Sequence, residues 1–180
     1  MSSYCDYAPG DPFHGSYHDE EYGFPIEEDD QLFGRLLLEI NQAGLSWLTI
    51  LKKKESFQNA YDQFQIETVA NYEAADRERL LSDPGIIRNR LKVDAAIHNA
   101  KVLVGLKESH GSFRNWLQDQ HPLSKPDWVK LFRKTFKFTG GEITVEFLMS
   151  IGYLEGAHRP ECPVFEKIRA LNPPWMEGAD

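Results

Sequence analysis

The sequence predicts an all-α protein that folds as a single domain. Apolar residues recur at spacings of three and four along most of the chain, whereas the strict alternation typical of strands is scarce. A chain of 180 residues can bury a core of its own, and this length favours one domain over two. No repeat or interdomain linker interrupts residues 1–180, and tight turns are expected at Gly44, Gly85, Gly111 and Gly140-Gly141.

The predicted helices follow this periodicity in chain order. The clearest helix covers residues 29–43, and Asp29 or Asp30 is its N-cap candidate because a short acidic side chain accepts hydrogen bonds from free N–H groups. A second helix is expected from about Ser46 to Phe64. Further helices are expected over residues 66–71, 75–82, 87–108, 112–118, 127–135 and 142–152. The tail after Cys162 is expected to lie along the surface.

The composition is that of an ordinary folded protein, with 41% hydrophobic and 27% charged residues. No apolar run approaches the roughly 18–20 residues that a membrane-spanning helix requires. The first five residues carry neither a basic region nor an apolar stretch, so no secretory signal is expected. The predicted location is therefore the cytoplasm.

The net charge of −8 argues against a nucleic-acid partner, but the charge is unevenly distributed. Nine of the 28 acidic residues lie in residues 1–30, which hold no Lys or Arg, so 19 acidic and 20 basic residues remain over residues 31–180. The basic residues there are grouped as Lys52-Lys53-Lys54, as Arg88, Arg90 and Lys92, and as Lys125, Lys130, Arg133, Lys134 and Lys137. These groups form either a basic face for a polyanion or ordinary solvated helix surfaces.

Two segments at opposite ends of the chain each pair a cysteine with a histidine. Cys5 is followed by His18, and His158 is followed by Cys162. Two such pairs would complete the four ligands of a structural zinc ion, although the spacing is not that of a zinc finger. The alternative is a buried cysteine near an unrelated surface histidine.

Three motifs identify a resemblance to a known family. The segments Tyr17–Gly23, Gln42–Trp47 and Gly85–Arg90 resemble the DNA-3-methyladenine glycosylase I family, a branch of the helix-hairpin-helix DNA glycosylases. The likeness keeps the same order from Cys5 to Leu106, resumes over residues 130–150 and ends with His158 and Cys162. It therefore implies one DNA glycosylase domain over residues 1–180, with an acidic segment at 1–30.

The resemblance assigns roles to both ends of the chain and to the region around residues 130–150. It implies that Cys5, His18, His158 and Cys162 bind a structural zinc ion, which would join segments 5–18 and 158–162. It also implies a helical hairpin that contacts the DNA backbone, with contact residues Lys137, Thr139, Gly140 and Gly141.

The base-binding residues are also assigned by the resemblance. Glu39 corresponds to the family's base-recognising carboxylate, although its position alone is more typical of a solvent-facing residue, and it is the leading catalytic candidate. Trp47 corresponds to a stacking tryptophan, and Tyr17 to a tyrosine of the pocket. His14 and Tyr22 stand where relatives carry Tyr and Trp, which makes the range of lesions an open question.

These assignments predict an enzyme of base excision repair. It would hydrolyse the N-glycosidic bond of 3-methyladenine in double-stranded DNA and leave an abasic site. A monofunctional monomer is expected, since no Lys follows the hairpin at the position that a Schiff-base mechanism needs. No Asp occurs between Asp127 and Asp180, which fits a substrate that requires little activation. The alternatives are a non-catalytic relative that binds damaged DNA and a helical interaction module unrelated to DNA.

Overall fold

The computed structural model describes residues 3–178, and its regular elements are all helical, as predicted. The α-helices are α1 (Tyr4–Tyr7), α2 (His14–Ser16), α3 (Asp29–Gln42), α4 (Trp47–Ala60), α5 (Ile66–Ala70), α6 (Ala74–Ser82), α7 (Arg90–His110), α8 (Phe113–Gln120), α9 (Lys125–Thr135), α10 (Gly141–Ser150) and α11 (Pro163–Arg169). A π-helical turn (Tyr17–Glu21) continues α2, and 3-10 turns cover Asp62–Phe64 and Pro174–Met176. Within the described residues, no helix combines the length and apolarity needed to cross a membrane.

Helix α3 is the centre of the fold. Every residue from Leu32 to Asn41 is buried, so this helix is covered on all sides rather than on one apolar face. It packs against α4, α5, α7, α8 and α10. A β-carbon at Gly34 would overlap the ring of Phe64, so only glycine permits the contact of this ring with the helix backbone.

The predicted N-caps of α3 are wrong. Glu28 precedes the helix and makes no side-chain cap. Asp29 instead accepts hydrogen bonds from the backbone N–H groups of Phe113 (2.8 Å) and Arg114 (3.0 Å), at the start of α8. Asp30 accepts one from Ile66 N–H (3.0 Å), at the start of α5. Both aspartates therefore cap helices that are distant in sequence, because tertiary packing brings those N-termini to the start of α3.

Two helix boundaries differ from the predictions by three residues or more. Helix α4 ends at Ala60 rather than Phe64, and residues 62–64 have φ values of 48°, 57° and 59°, in the left-handed region. Helix α7 begins at Arg90 rather than residue 87, since Asn89 accepts a hydrogen bond from Lys92 N–H and caps the helix.

The tail after Cys162 does not lie only along the surface, as was predicted. It forms α11, whose residues Val164 and Ile168 are buried in a small apolar cluster with Cys162. Cys5 and Phe24 pack against this cluster from the other end of the chain. The two ends of the chain are therefore in contact with each other.

Candidate active site

A cavity of about 920 Å³ opens where the terminal segments meet the ends of α3, α4 and α10. Its wall consists of Tyr4, Tyr7, Tyr17, Tyr22, Glu39, Gln42, Ala43, Gly44, Trp47, Gly140, Gly141, Glu142, Ile143, Val145 and Glu146. Six of the predicted site residues thus share one cavity: Glu39, Trp47, Tyr17, Tyr22, Gly140 and Gly141. Tyr4 and Glu146 are wall residues that the sequence analysis did not single out.

Glu39 is a buried carboxyl group on the central helix. Its side chain is 4% exposed and makes no hydrogen bond to any residue between 3 and 178. Burial, and to a smaller extent the charge of Glu146, raise the pKa of Glu39 to about 8, although the guanidinium of Arg35 acts in the opposite direction. Before a ligand binds, the neutral form of Glu39 is therefore favoured at neutral pH. A cationic ligand would favour its ionised form.

Arg35 does not neutralise Glu39 because its guanidinium has other partners. It donates to Ser150 O at 3.0 Å and to Glu21 at 3.4 Å, and it lies 5.1 Å from the ring centroid of Tyr17. Lys54 binds the same Glu21 carboxylate at 2.5 and 2.6 Å. Arg35 and Lys54 thus both pair with Glu21 rather than with Glu39.

The aromatic residues of the wall form a continuous surface. The rings of Tyr17 and Tyr22 stack at 5.6 Å with an interplanar angle of 27°, and Trp47 lies 5.1 Å from Tyr17. Tyr17 Oη and Trp47 Nε1 are buried, yet neither has a hydrogen-bond partner in the described part of the chain. A buried polar group without a partner costs about 1–3 kcal/mol, so a ligand that supplies acceptors and donors here would recover this energy.

Local structure holds Trp47 against the cavity. Gly44 adopts φ = 77° after the end of α3, and Ser46 caps α4 by accepting a hydrogen bond from Thr49 N–H. The buried ammonium of Lys92 donates to Asn41 O at 2.7 Å and to Ala43 O at 2.8 Å. Lys92 therefore stabilises the C-terminal end of α3 and does not contribute to a solvent-facing basic face.

His14 lies behind the cavity wall rather than in it. Its Nδ1 is 3.0 Å from the hydroxyl of Tyr4, and its ring packs edge-on against Tyr4 and Tyr7. The prediction that His14 contacts the substrate is therefore not supported by its position. Tyr4 and Tyr7 occupy the wall in its place. Only the tertiary structure reveals this, because nothing in the local sequence marks either tyrosine as a cavity residue.

The predicted hairpin connects α9 to α10 at the rim of the cavity. Asn99 on α7 holds its backbone, since its Oδ1 accepts from Lys137 N–H at 2.8 Å and its Nδ2 donates to Lys137 O at 3.0 Å. The hydroxyl of Thr139 donates to Phe132 O at 3.0 Å and to Phe136 O at 3.3 Å. Because this hydroxyl is buried, Thr139 could reach a phosphate only through its backbone. Lys137 is exposed.

The four predicted metal ligands form a cluster. The donor atoms of Cys5, His18, His158 and Cys162 all lie within 4.8 Å of one another. His158 Nδ1 is 3.6 Å from both sulfur atoms, and His18 Nε2 is 3.7 Å from the sulfur of Cys162. Donors around a tetrahedral zinc ion, with bonds of about 2.3 Å to sulfur and 2.0–2.1 Å to nitrogen, lie about 3.6 Å apart. The donor set therefore fits a four-coordinate metal ion.

The second nitrogen of each histidine is also engaged. His18 Nδ1 lies 2.6 Å from the carboxylate of Asp19, and His158 Nε2 lies 2.7 Å from Tyr22 O. Such partners fix the ring orientation and tautomer of metal-binding histidines. This contact links the cluster to the cavity, because Tyr22 is also a residue of the cavity wall.

Comparisons with known proteins agree with this geometry. A family model described as methyladenine glycosylase matches residues 7–128. The chain is 40% identical to DNA-3-methyladenine glycosylase 1 of Escherichia coli (strain K12) over 167 residues, which cover 82% of this chain and 89% of the relative. It is 30% identical to DNA-3-methyladenine glycosylase of Haemophilus influenzae over 182 residues, which cover 91% of this chain and 98% of the relative.

Solved structures show the same similarity. The chain superposes on 3-methyladenine DNA glycosylase I from Staphylococcus aureus with a TM-score of 0.79 and 32% identity, over 89% of this chain and 95% of that one. It superposes on a variant of 3-methyladenine DNA glycosylase I in complex with 3-methyladenine with a TM-score of 0.80 and 31% identity, over 91% of this chain and 97% of that one.

Proposed function

This chain belongs to the methyladenine glycosylase family, and from that premise we propose that its cavity receives 3-methyladenine extruded from DNA. The enzyme is a DNA-repair glycosylase: it hydrolyses the N-glycosidic bond of the alkylated nucleotide in the first step of base excision repair. The observation that carries the site assignment is that the buried, unpartnered Glu39 shares a cavity with the unpartnered polar atoms of Tyr17 and Trp47.

The chemistry of the substrate matches a buried acid beside aromatic rings. A purine alkylated at a ring nitrogen is cationic while it is attached to the sugar, and it leaves as a neutral base. Its positive charge supplies the counter-charge that Glu39 lacks, so Glu39 ionises as the base binds. The faces of Trp47 and Tyr17 attract a cationic ring, and their polar atoms add hydrogen bonds.

Hydrolysis then requires little further activation. The oxygen of a water molecule bonds to the anomeric carbon, the bond from that carbon to the base nitrogen breaks, and its electron pair neutralises the departing base. The water proton passes to solvent. Glu39 contributes by stabilising positive charge in the cavity. It does not need to protonate the leaving base, because the base departs neutral. This supports a monofunctional enzyme that leaves an abasic site.

The cluster at the chain ends is proposed to bind zinc in a structural role. Cys5, His18, His158 and Cys162 complete a closed set of four ligands, which leaves no position for a reacting water. Bound zinc would hold the two ends together, and through Tyr22 it would fix one wall of the cavity.

The hairpin is proposed to contact the phosphate backbone of double-stranded DNA. The N-terminus of α10 at Gly140 and Gly141 borders the cavity, and helix N-termini bind anions through their free N–H groups. Lys137 adds an exposed positive charge beside it. A monomeric state, a cytoplasmic location and one glycosylase domain over residues 1–180 belong to the same proposal.

The decisive experiment measures release of free 3-methyladenine from methylated double-stranded DNA by chromatography. We expect the wild-type protein to release it, and Glu39→Gln to lower the rate at least about 100-fold while DNA affinity is retained. Glu155→Gln is the matched control, since it makes the same change at an exposed position outside the cavity. A folded, zinc-loaded wild-type protein that binds the DNA without releasing a base would point to a non-catalytic relative instead.

A further inference from the structure

Arg35 is a buried cation on the helix that carries Glu39, and the proposed reaction does not use it. The two residues are four positions apart on α3, so they lie on the same face of the helix. Only 7% of the Arg35 side chain is exposed. Its guanidinium nevertheless forms an ion pair with Glu21 and not with Glu39. The partners of Arg35 therefore lie outside its own helix.

The guanidinium of Arg35 connects α3 to two other segments. It donates a hydrogen bond to Ser150 O at 3.0 Å, at the end of α10. It donates another to the Glu21 carboxylate at 3.4 Å, at the end of the π-helical turn. It also lies 5.1 Å from the ring centroid of Tyr17, at the start of that turn, which is within the range of a cation–π interaction. Arg35 thus contacts both ends of the turn and attaches it to α3.

Tyr17 depends on this attachment for its place in the cavity wall. Its hydroxyl has no hydrogen-bond partner among residues 3–178, so no hydrogen bond of the side chain fixes the ring. The ring is held instead by aromatic and cation–π contacts with its neighbours Tyr4, Tyr22, Trp47 and Arg35. Of these neighbours, Arg35 alone lies on the same helix as Glu39. Arg35 therefore fixes the position of the Tyr17 ring relative to the Glu39 carboxyl group.

The charge of Arg35 also acts on Glu39. Burial and the charge of Glu146 raise the pKa of Glu39, whereas the Arg35 guanidinium lowers it. Glu21 limits this effect of Arg35, because its carboxylate pairs with the guanidinium and carries the opposite charge. The other charged or titratable groups around this part of α3 are Lys54 on α4, Lys92 on α7, Glu142 and Glu146 on α10, and the phenols of Tyr17 and Tyr22, whose pKa values burial raises. The balance between Arg35 and Glu21 therefore influences how readily Glu39 ionises.

We propose that Arg35 is a positioning residue for base release, which anchors Tyr17 and its π-helical turn to the helix that carries Glu39. Its ion pair with Glu21 limits the positive charge that acts on Glu39. Arg35 is not part of the cavity wall, so it acts through Tyr17 and Glu39 and not by touching the base. This inference rests on the proposed function, because it concerns the reaction in the same cavity.

The test measures kcat/KM for release of free 3-methyladenine from methylated double-stranded DNA as a function of pH. For the wild-type protein, kcat/KM should rise with pH and become constant above about pH 8, as Glu39 ionises. Arg35→Met keeps an apolar side chain but removes the guanidinium. We expect it to lower the constant value about tenfold or more, because the Tyr17 ring loses its anchor. The midpoint of the profile should move to higher pH, because Glu39 loses a positive neighbour.

Two further variants separate the charge of Arg35 from its geometry. Arg35→Lys keeps the charge but not the planar group of five donors, so it should lower kcat/KM while the midpoint stays near that of wild type. Glu21→Gln removes the carboxylate that opposes the guanidinium, so the midpoint should move to lower pH. The shifts in Glu21→Gln and Arg35→Met are therefore expected in opposite directions, which a general loss of stability would not produce.

Arg114→Met is the matched control. Arg114 is an exposed residue of α8 that pairs with Glu27 at 3.8 Å, and it does not border the cavity. We expect this variant to keep kcat/KM within twofold of wild type and to leave the midpoint unchanged. Urea unfolding of every variant confirms that the rates are compared between folded proteins.

The outcomes separate this inference from the proposed function. Base release by Arg35→Met within twofold of wild type overturns the role of Arg35 and leaves the glycosylase activity intact. A lower rate with unchanged midpoints in both Arg35→Met and Glu21→Gln means a purely structural role, which also overturns it. If Arg35→Met does not fold, a midpoint in Glu21→Gln that fails to decrease has the same meaning. Release of no base by folded wild-type protein overturns the proposed function, and this inference with it.

Discussion

Two regions of the molecule are stabilised in different ways. The helical body, residues 29–150, surrounds α3 with a large apolar core that includes Phe33, Phe57, Trp128 and Phe147. The tied ends, residues 3–24 and 156–169, contain short helices and a small apolar cluster around Cys162. We therefore expect apolar burial to stabilise the helical body, whereas the tied ends would also depend on the proposed metal ion.

The cavity lies between these two regions, and each supplies different chemistry. The helical body contributes the acid Glu39 and the indole of Trp47. The tied ends contribute the phenol rings of Tyr4, Tyr17 and Tyr22. The site is complete only when the ends are held against the body. The proposed metal cluster, which contacts the cavity wall through Tyr22, should therefore control the activity of the cavity.

Removal of the metal is the largest test of this comparison. We expect Cys162→Ser, or a strong chelator added to the wild-type protein, to lower the free energy of unfolding by several kcal/mol. Base release should fall more than tenfold because the tyrosine wall loses its support. Far-UV circular dichroism should retain most of its helical signal, since the body is stabilised by burial. Calorimetry and the chromatographic assay measure these effects.

The chelator also provides the control for that experiment. It should have no further effect on Cys162→Ser, because the variant has already lost a ligand. Full retention of base release by metal-free protein would break the comparison, since the tied ends would then not depend on the cluster.

The pH dependence of stability tests the acid of the helical body. The pKa of Glu39 is about 8 in the folded protein, against an ordinary value of 4.5. Between these pH values the folded state holds a proton that the unfolded state lacks, so the free energy of unfolding falls as the pH rises from about 4.5 to about 8. Glu39→Gln removes the titrating carboxyl group, so the variant should not show this decrease in the free energy of unfolding.

The corresponding measurement is urea unfolding of both proteins between pH 5 and pH 9. The variant should gain stability over wild type by at most about 1.4 kcal/mol per pH unit, and the difference should become constant above about pH 8. For Glu155→Gln, which is exposed, the difference from wild type should stay constant with pH. A constant difference for Glu39→Gln would contradict the elevated pKa of Glu39.

The smallest expected effect concerns a cap within the helical body. Asp29→Ala removes both hydrogen bonds to the start of α8, and we expect it to lower the free energy of unfolding by about 1–2 kcal/mol. Base release should stay unchanged, because α8 does not border the cavity. Asp119→Ala, an exposed substitution in α8, is the control and should change stability by less than about 0.5 kcal/mol. A loss of activity in Asp29→Ala would mean that the cavity also depends on this distant cap.

Local sequence patterns predicted the positions of the helices more accurately than the residues at which the helices begin, end and are capped. The periodicity of α3 located that helix to within one residue, because burial of apolar side chains sets the period. The same reasoning failed for Asp29 and Asp30, since a capping aspartate serves any helix N-terminus that the fold brings near it. It failed for Phe64 as well, where a left-handed turn ends the helix that the apolar pattern would continue.

The sequence by itself determined the helical class, the family and the four Cys and His residues of the cluster at the chain ends, because these depend on residue types and their order. Only the tertiary structure decided which side chains share a cavity. It placed His14 behind the cavity wall, buried the hydroxyl of Thr139, and brought Glu146 into the same cavity as Glu39. The physical reason is that burial and electrostatic coupling are set by distances between segments that are far apart in the chain, and no local pattern encodes those distances.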